Sequence, residues 1–332
     1  MSHSKNPVWV IAEQTNGKVP PVCLELLGKA RGLADELGVL AEIILFGEVS
    51  EDQREQLLHS GADVIYSCDS LDLEIYQPEI YAETVFRQTK ESQPQIILLG
   101  STFIGRELAP VIAAKLETGL TAHCIDLVLN QEGILEQIIP AYGGLITIIC
   151  PEKRPQMATV AQGVFPSPEV DTGRSGNIIK IEPPQEITTR VKTLEIVRKE
   201  PEGVPLEEAL IVVAGGAGAG SLEGWQEIAD LAKTLNAALG STRPVVDEGW
   251  MDLETMIGQS GKMVSPNLYI GVGLSGEQQH MVGISGAKVM VAINNDPKSP
   301  VFDQVDLGIV EDCSEFIPVF IKKLKEFGTN SA

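Results

Sequence analysis

The sequence predicts an α/β fold of two parallel-sheet domains, and three observations carry that prediction. Apolar strand-like runs and helical patterns alternate over the first 120 or so residues. A second alternation begins at Ala209, after a stretch rich in proline and charge. In that second half, strand-like runs lead straight into glycine or small polar residues. Such alternation builds mostly parallel sheets with helices on both faces, whose buried strands read as near-continuous apolar runs.

In chain order, Val8–Ala12 reads as a strand and Val22–Leu37 as a helix ending at Gly38. Ala41–Phe46 is a strand. Ser50 caps a helix over Glu51–His59, whose acidic first turn suits the macrodipole. Ala62–Ser67 is a short strand, Pro78–Lys90 a helix, and Gln95–Leu99 a strand leading through Gly100 and Ser101 into a helix over Gly105–Leu116. After Thr118 the pattern changes. Ile125–Leu129 and Leu135–Ile139 flank Asn130-Gln131-Glu132-Gly133, a hairpin signature. Leu145–Cys150, Gln156–Val160 and Thr188–Val197 read as further strands. Prolines and charges interrupt any period at Lys199–Pro205, so a linker is predicted there. The expected domains are 1–200 and 205–322, with a tail over 323–332.

The second domain opens on the strand Ala209–Val213 and the turn Gly215–Ser221, followed by an amphipathic helix over Trp225–Leu239. The turn lacks the strict G-x-G-x-x-G spacing and its later acidic residue, so a simple NAD-binding unit is a weak match. Its glycines and the following helix offer backbone N–H groups to an anion. Five strand-end clusters follow. Gly240–Pro244 holds Arg243 extended, because proline disfavours helix for the residue before it. Ile257–Lys262 mixes amide, hydroxyl and ammonium groups with glycines. Leu268–Val272 runs into the Gly273–Gly276 turn and then Gln278, Gln279 and His280. Val289–Ile293 ends on Asn294, and Ile309–Val310 ends on Glu311 and Asp312. If these strands are parallel, all five clusters share one carboxyl edge, where open α/β sheets bind nucleotides.

The totals exclude several classes. The net charge of −21 repels nucleic acid. No apolar run approaches a membrane span, and no signal-peptide pattern precedes the first strand, which points to the cytoplasm. The five cysteines form no C-x-x-C pair and share no ligand spacing with the four histidines, so neither a disulfide framework nor a metal is expected.

Five phrases, taken together and in this order, resemble the alpha subunit of the electron-transfer flavoproteins: Thr118–Ala122, Arg154–Val160, Gly258–Lys262, Leu274–His280 and Ala292–Pro297. The resemblance covers essentially the whole chain. It implies a nucleotide-hydrolase-like (Rossmann-like) N-terminal domain that packs on a beta subunit, and a C-terminal domain that binds FAD. It also implies electron shuttling between dehydrogenases and an acceptor, or reduction by NADH in an electron-bifurcating system. By the same resemblance, His280 lies near the flavin N1 and O2 and offsets the charge of the reduced ring. Ser260, often threonine in the family, bonds N5, and Arg243 sits by the ring system and favours its anionic forms. Gln259 and Ser275, Gly276, Glu277, Gln278 and Gln279 line the ribityl and ring region, with Ile257 and Gly258 beside them. Thr242 and Asn294 face the ribityl–diphosphate segment, and Asp312 the adenosine end with Cys313 next to it. One departure stands out: Ala217 occupies the place of the family's usual arginine, leaving Arg243 and Lys262 as the cations of the site and more of the anion binding to the glycine turn.

Two rival functions weigh less. An NAD-dependent transferase on the same nucleotide-binding fold, with Ser275 or His280 catalytic, lacks an acid–base partner at fixed spacing from His280. A pure adenine-nucleotide interaction module in the N-terminal half lacks a G-x-x-x-x-G-K-[ST] loop.

Overall fold

Val8–Ala12 (β1) is buried at every position and forms the middle of a seven-stranded sheet. The computed structural model describes residues 6–69, 73, 75–141, 144–184, 189, 191, 193–195, 197, 203–206 and 209–329. It divides into two units, Met1–Ile196 and Val197–Ala332.

In the first unit, β1 is followed by α1 (Pro21–Leu37), β2 (Ala41–Phe46), α2 (Glu51–His59), β3 (Val64–Cys68), α3 (Pro78–Ser92), β4 (Ile96–Gly100) and α4 (Phe103–Leu116). The sequence sets these boundaries. Gly38 ends α1 with φ +66, Ser50 Oγ caps α2 by accepting from Gln53 N, and Thr102 caps α4 by accepting from Gly105 N. Then come β5 (Leu120–Cys124), β6 (Asp126–Leu129), β7 (Leu135–Ala141), β8 (Gly144–Ile149), β9 (Gln156–Val160) and β10 (Asn177–Lys180). The large sheet runs β10-β3-β2-β1-β4-β9-β5, parallel throughout, and β6-β7-β8 form a separate antiparallel sheet. Period-2 alternation splits β1 between two cores. Val8, Val10 and Ala12 pack with α1, while Trp9 and Ile11 pack with α3 and α4. Each such fully buried Val or Ile contributes about 1.5–3 kcal/mol.

The second unit holds β11 (Ile211–Gly215), α5 (Leu222–Thr234), β12 (Ala238–Ser241), α6 (Arg243–Asp247), β13 (Leu268–Val272), α7 (Gln278–Met281), β14 (Met290–Asn294), β15 (Leu307–Val310) and α8 (Cys313–Thr329). Its parallel sheet runs β12-β11-β13-β14-β15. The strand order reverses between β11 and β13, so the crevice predicted for a doubly wound sheet opens beyond their carboxyl ends.

Several expectations change. The helix expected over Trp225–Leu239 starts earlier, because Ser221 Oγ accepts from Gly224 N, and it stops at Thr234. Asn236 then takes φ +51, and Ala238–Ser241 leaves the helical path to become edge strand β12. Arg243 is not extended; Thr242 is, and Arg243 opens α6. Pro244 lacks only an N–H that a first helical turn leaves unpaired, so it is tolerated there. The expected tail is instead the end of α8, which runs to Thr329 with Ile317 buried on the sheet. Of the strand expected over Thr188–Val197, residues 188, 190, 192 and 196 lie outside the described residues, and the described ones belong to no strand. β10, unforeseen, pairs with β3 at the sheet edge.

Candidate functional site

Register places the strand ends of the second unit level with one another. Gly215 pairs with Ser241 and with Val272, Val272 with Ile293, and Asn294 with Val310. The loops that follow four of these strands enclose a cleft of about 660 Å³. It is lined by Gly216–Gly218 after β11, Thr242–Pro244 and Met256–Gly261 after β12, Gly273–Glu277, Gln279 and His280 after β13, and Asn294, Asp296, Ser299 and Pro300 after β14. Twelve of the fifteen expected site residues meet there: Thr242, Arg243, Ile257, Gly258, Gln259, Ser260, Ser275, Gly276, Glu277, Gln279, His280 and Asn294. Gln278, Asp312 and Cys313 are not on its lining. Lys262 is also off it.

Four N–H groups of the glycine turn after β11 are bonded within the protein. Gly216 N donates to Val272 O, Gly218 N to Gly273 O, Ala219 N to Gly216 O and Gly220 N to Ala217 O, all at 2.9–3.1 Å. These donors are taken up within the protein, so they add little to anion binding. The glycines serve close approach instead. A Cβ on Gly216 would lie 2.3 Å from Gly273 O, and one on Gly218 2.6 Å from the same atom. Backbone packs directly on backbone, which ties the loops on either side of the strand-order reversal.

His280 is buried on α7. Its Nδ1 lies 3.1 Å from Ile257 O and its Nε2 2.7 Å from the Tyr269 hydroxyl. A carbonyl only accepts, so Nδ1 carries the proton and Tyr269 donates to Nε2. Burial pushes the imidazole down to about 4, outweighing the bond to Ile257 O. The ring is thus neutral, with both nitrogens engaged by the protein.

Asn294 is likewise committed. Its amide donates to Leu274 O (2.9 Å) and Ser299 Oγ (3.2 Å), and its Oδ1 accepts from Asp296 N (2.9 Å). It fixes two loops rather than offering free polar atoms. Arg243 Nε lies 3.1 Å from Asp247 Oδ1 across one turn of α6, and both side chains are mostly exposed. Gln259 and Ser260 are exposed at the rim. Asp312 accepts from Ser314 Oγ and Ser314 N at the start of α8, and these two bonds hold its carboxyl below the usual range. Cys313 Sγ reaches Gly218 O at 3.6 Å. Sequence reasoning missed Met256, Ser299 and Pro300 on the lining, and Tyr269 behind it. Only the Asn294–Ser299 turn carried a usable signal, an Asx turn closed by Asp296 N.

Comparison with known proteins agrees with this architecture. Residues 8–186 match the electron transfer flavoprotein domain, and residues 205–285 match the electron transfer flavoprotein FAD-binding domain. The chain is 44% identical over 322 residues to an electron transfer flavoprotein subunit alpha of Thermoanaerobacterium thermosaccharolyticum, covering 96% of this chain and 98% of that one. It is 40% identical over 325 residues to a protein FixB of Clostridium saccharobutylicum, with 96% of each chain covered. It is 38% identical over 325 residues to an electron transfer flavoprotein subunit alpha of Clostridium acetobutylicum, again with 96% of each covered. With its folds, its cleft and these relatives in agreement, the chain belongs to the electron transfer flavoprotein alpha-subunit family.

Proposed function

We propose that this chain holds one FAD in the cleft of its second unit and, paired with a beta subunit, carries electrons between dehydrogenases and an acceptor. It is a carrier subunit, not an enzyme by itself. The observation behind this is the cleft itself, most of whose lining falls within the stretch matching the FAD-binding domain. Its volume of about 660 Å³ lies in the range of ligand sites. Apolar walls from Met256, Ile257, Leu274, Pro244 and Pro300 suit a flat ring system. The polar groups of Thr242, Arg243, Gln259, Ser260 and Ser275 suit its heteroatoms and a ribityl–diphosphate chain.

Bound FAD supplies the electron-transfer chemistry. The residues supply binding and electrostatics. Arg243 can lend its guanidinium to an anionic group cheaply, because an exposed pair such as Arg243–Asp247 is worth only about 0–1 kcal/mol. Ser260 and Gln259 present a hydroxyl and an amide at the rim. His280, held neutral, presents a polar but uncharged ring wall, and Met256 and Ile257 keep water from that side. The first unit packs on the beta subunit in this account. Its strand β8 exposes Leu145, Ile146 and Ile149, an apolar edge suited to burial. Five cysteines without a disulfide suit a reducing compartment, the cytoplasm. Among the described residues, no helix is long and apolar enough to cross a membrane. The test is to co-purify the chain with its beta subunit, denature the complex and identify what is released. Free FAD in the supernatant is expected; no flavin, or flavin left attached to the chain, contradicts the proposal.

A further inference from the structure

Three consecutive carbonyls in the turn after β13 are held by side chains of the loop after β14. Leu274 O accepts from Asn294 Nδ2 at 2.9 Å, Ser275 O from Ser299 Oγ at 3.4 Å, and Gly276 O from Gln304 Nε2 at 2.7 Å. Gly276, at φ +78, sits so tightly on this loop that a Cβ would lie 2.5 Å from Val301 Cα. The peptide bonds here are trans. In a trans peptide the C=O and the following N–H point in opposite directions. Fixing these carbonyls against the loop therefore turns the N–H groups of Ser275, Gly276 and Glu277 the other way. All three residues line the cleft. Among the described residues, no backbone carbonyl of the protein takes these three N–H groups outside regular helices and strands. Successive N–H groups of this kind form a concavity for an acceptor oxygen.

We propose that Gln304, which is not on the cleft lining, is a positioning residue for the cofactor. With Asn294 and Ser299 it aims the Ser275, Gly276 and Glu277 N–H groups into the cleft, where they take an oxygen of the dinucleotide. This rests on the cleft being the FAD site. Of the three anchors Gln304 is the cleanest to change. Asn294 and Ser299 line the cleft themselves, while among the described residues the Gln304 side chain makes one further bond, to Pro300 O at 3.2 Å.

The test uses the complete heterodimer with its beta subunit. Gln304→Leu keeps the bulk of the side chain and removes the donor. Gln304→Glu also removes it and sets a carboxylate against Gly276 O. Loss of one such bond corresponds to a roughly five- to tenfold rise in the FAD dissociation constant for Gln304→Leu, and at least as much for Gln304→Glu. Hydrogen exchange supplies the readout that a merely structural role would not move. FAD should slow exchange at the amides of residues 275–277 in the wild type, and slow it less in Gln304→Leu, while the amides of β13 and β14 exchange as before. Wild-type affinity in both variants, or no slowing at 275–277 in the wild type with FAD bound, overturns the role of Gln304. A wild-type heterodimer that takes up no FAD overturns the cleft assignment instead, and is a distinguishable result.

Discussion

Replacing Tyr269 with phenylalanine removes one oxygen from a fully buried position on β13 and leaves the ring that packs beneath the cleft. Its consequence falls on His280. Nδ1–H is already committed to Ile257 O, and among the described residues the Tyr269 hydroxyl at 2.7 Å is the only partner of Nε2. In the variant Nε2 becomes a buried acceptor without a donor, which costs about 1–3 kcal/mol. Acid should make matters worse. An imidazolium needs acceptors at both nitrogens, and in the wild type the Tyr269 oxygen can turn its lone pair toward Nε2–H. Phenylalanine cannot. Urea unfolding of the heterodimer without added flavin, compared with wild type at neutral pH, reads the first effect directly. The same substitution in a His280→Phe background provides the control, since no unpaired nitrogen is then created and the cost should largely vanish. A Tyr269→Phe loss below about 0.5 kcal/mol, or an equal loss in both backgrounds, would refute the assigned tautomer and its energetics.

The remaining predictions concern pH, charge and close packing. Burial lowers the His280 pKa from 6.5 to about 4, so the folded form binds fewer protons than the unfolded between those values. Its stabilisation is present above pH 6.5 and is lost as pH falls toward 4, by about 3 kcal/mol, and the stability gap between wild type and His280→Phe should shrink by that amount over this window. Ala217→Arg, on an exposed position of the cleft lining, should tighten FAD by about tenfold in equilibrium titration, as expected of one charge-assisted bond; weaker binding would mean the turn is shaped around alanine. Arg243→Ala should lower the flavin reduction potential by only about 40 mV or less, because an exposed cation is screened; a much larger drop would mean the guanidinium becomes buried on FAD. Gly218→Ala forces a Cβ to 2.6 Å from Gly273 O, which should cost about 1–3 kcal/mol of stability in thermal or urea unfolding and weaken FAD binding with it.

Much of this was legible in the sequence because parallel strands buried on both faces leave continuous apolar runs. Val8–Ala12, Ala41–Phe46 and Leu268–Val272 appear in the structure with those bounds. The carboxyl-edge clusters were legible for a related reason, since every parallel strand delivers its C-terminal residues to one edge, and the register confirms the alignment. What escaped was short or set by distant contacts. Ala238–Ser241 is a four-residue strand of residue types that also suit a helix, and it followed a helical pattern without a break. Arg243 turned helical because a proline in a first turn loses no hydrogen bond, which outweighs the local bias against helix before proline. The fate of the glycine turn depends on Gly273, more than fifty residues away in the chain and adjacent only once β11 and β13 pair. The partner of His280 is Tyr269, whose hydroxyl reaches it from the preceding strand, a distance no helix or strand period encodes.

The most direct test of the central claim is a crystal structure of the heterodimer prepared with FAD. The account predicts a dinucleotide on this chain beyond the carboxyl ends of β11 to β14. It should lie against Met256–Gly261 and Gly273–His280, with the N–H groups of Ser275–Glu277 facing one of its oxygens. A second unit whose cleft stays empty while flavin is bound elsewhere in the heterodimer would contradict it.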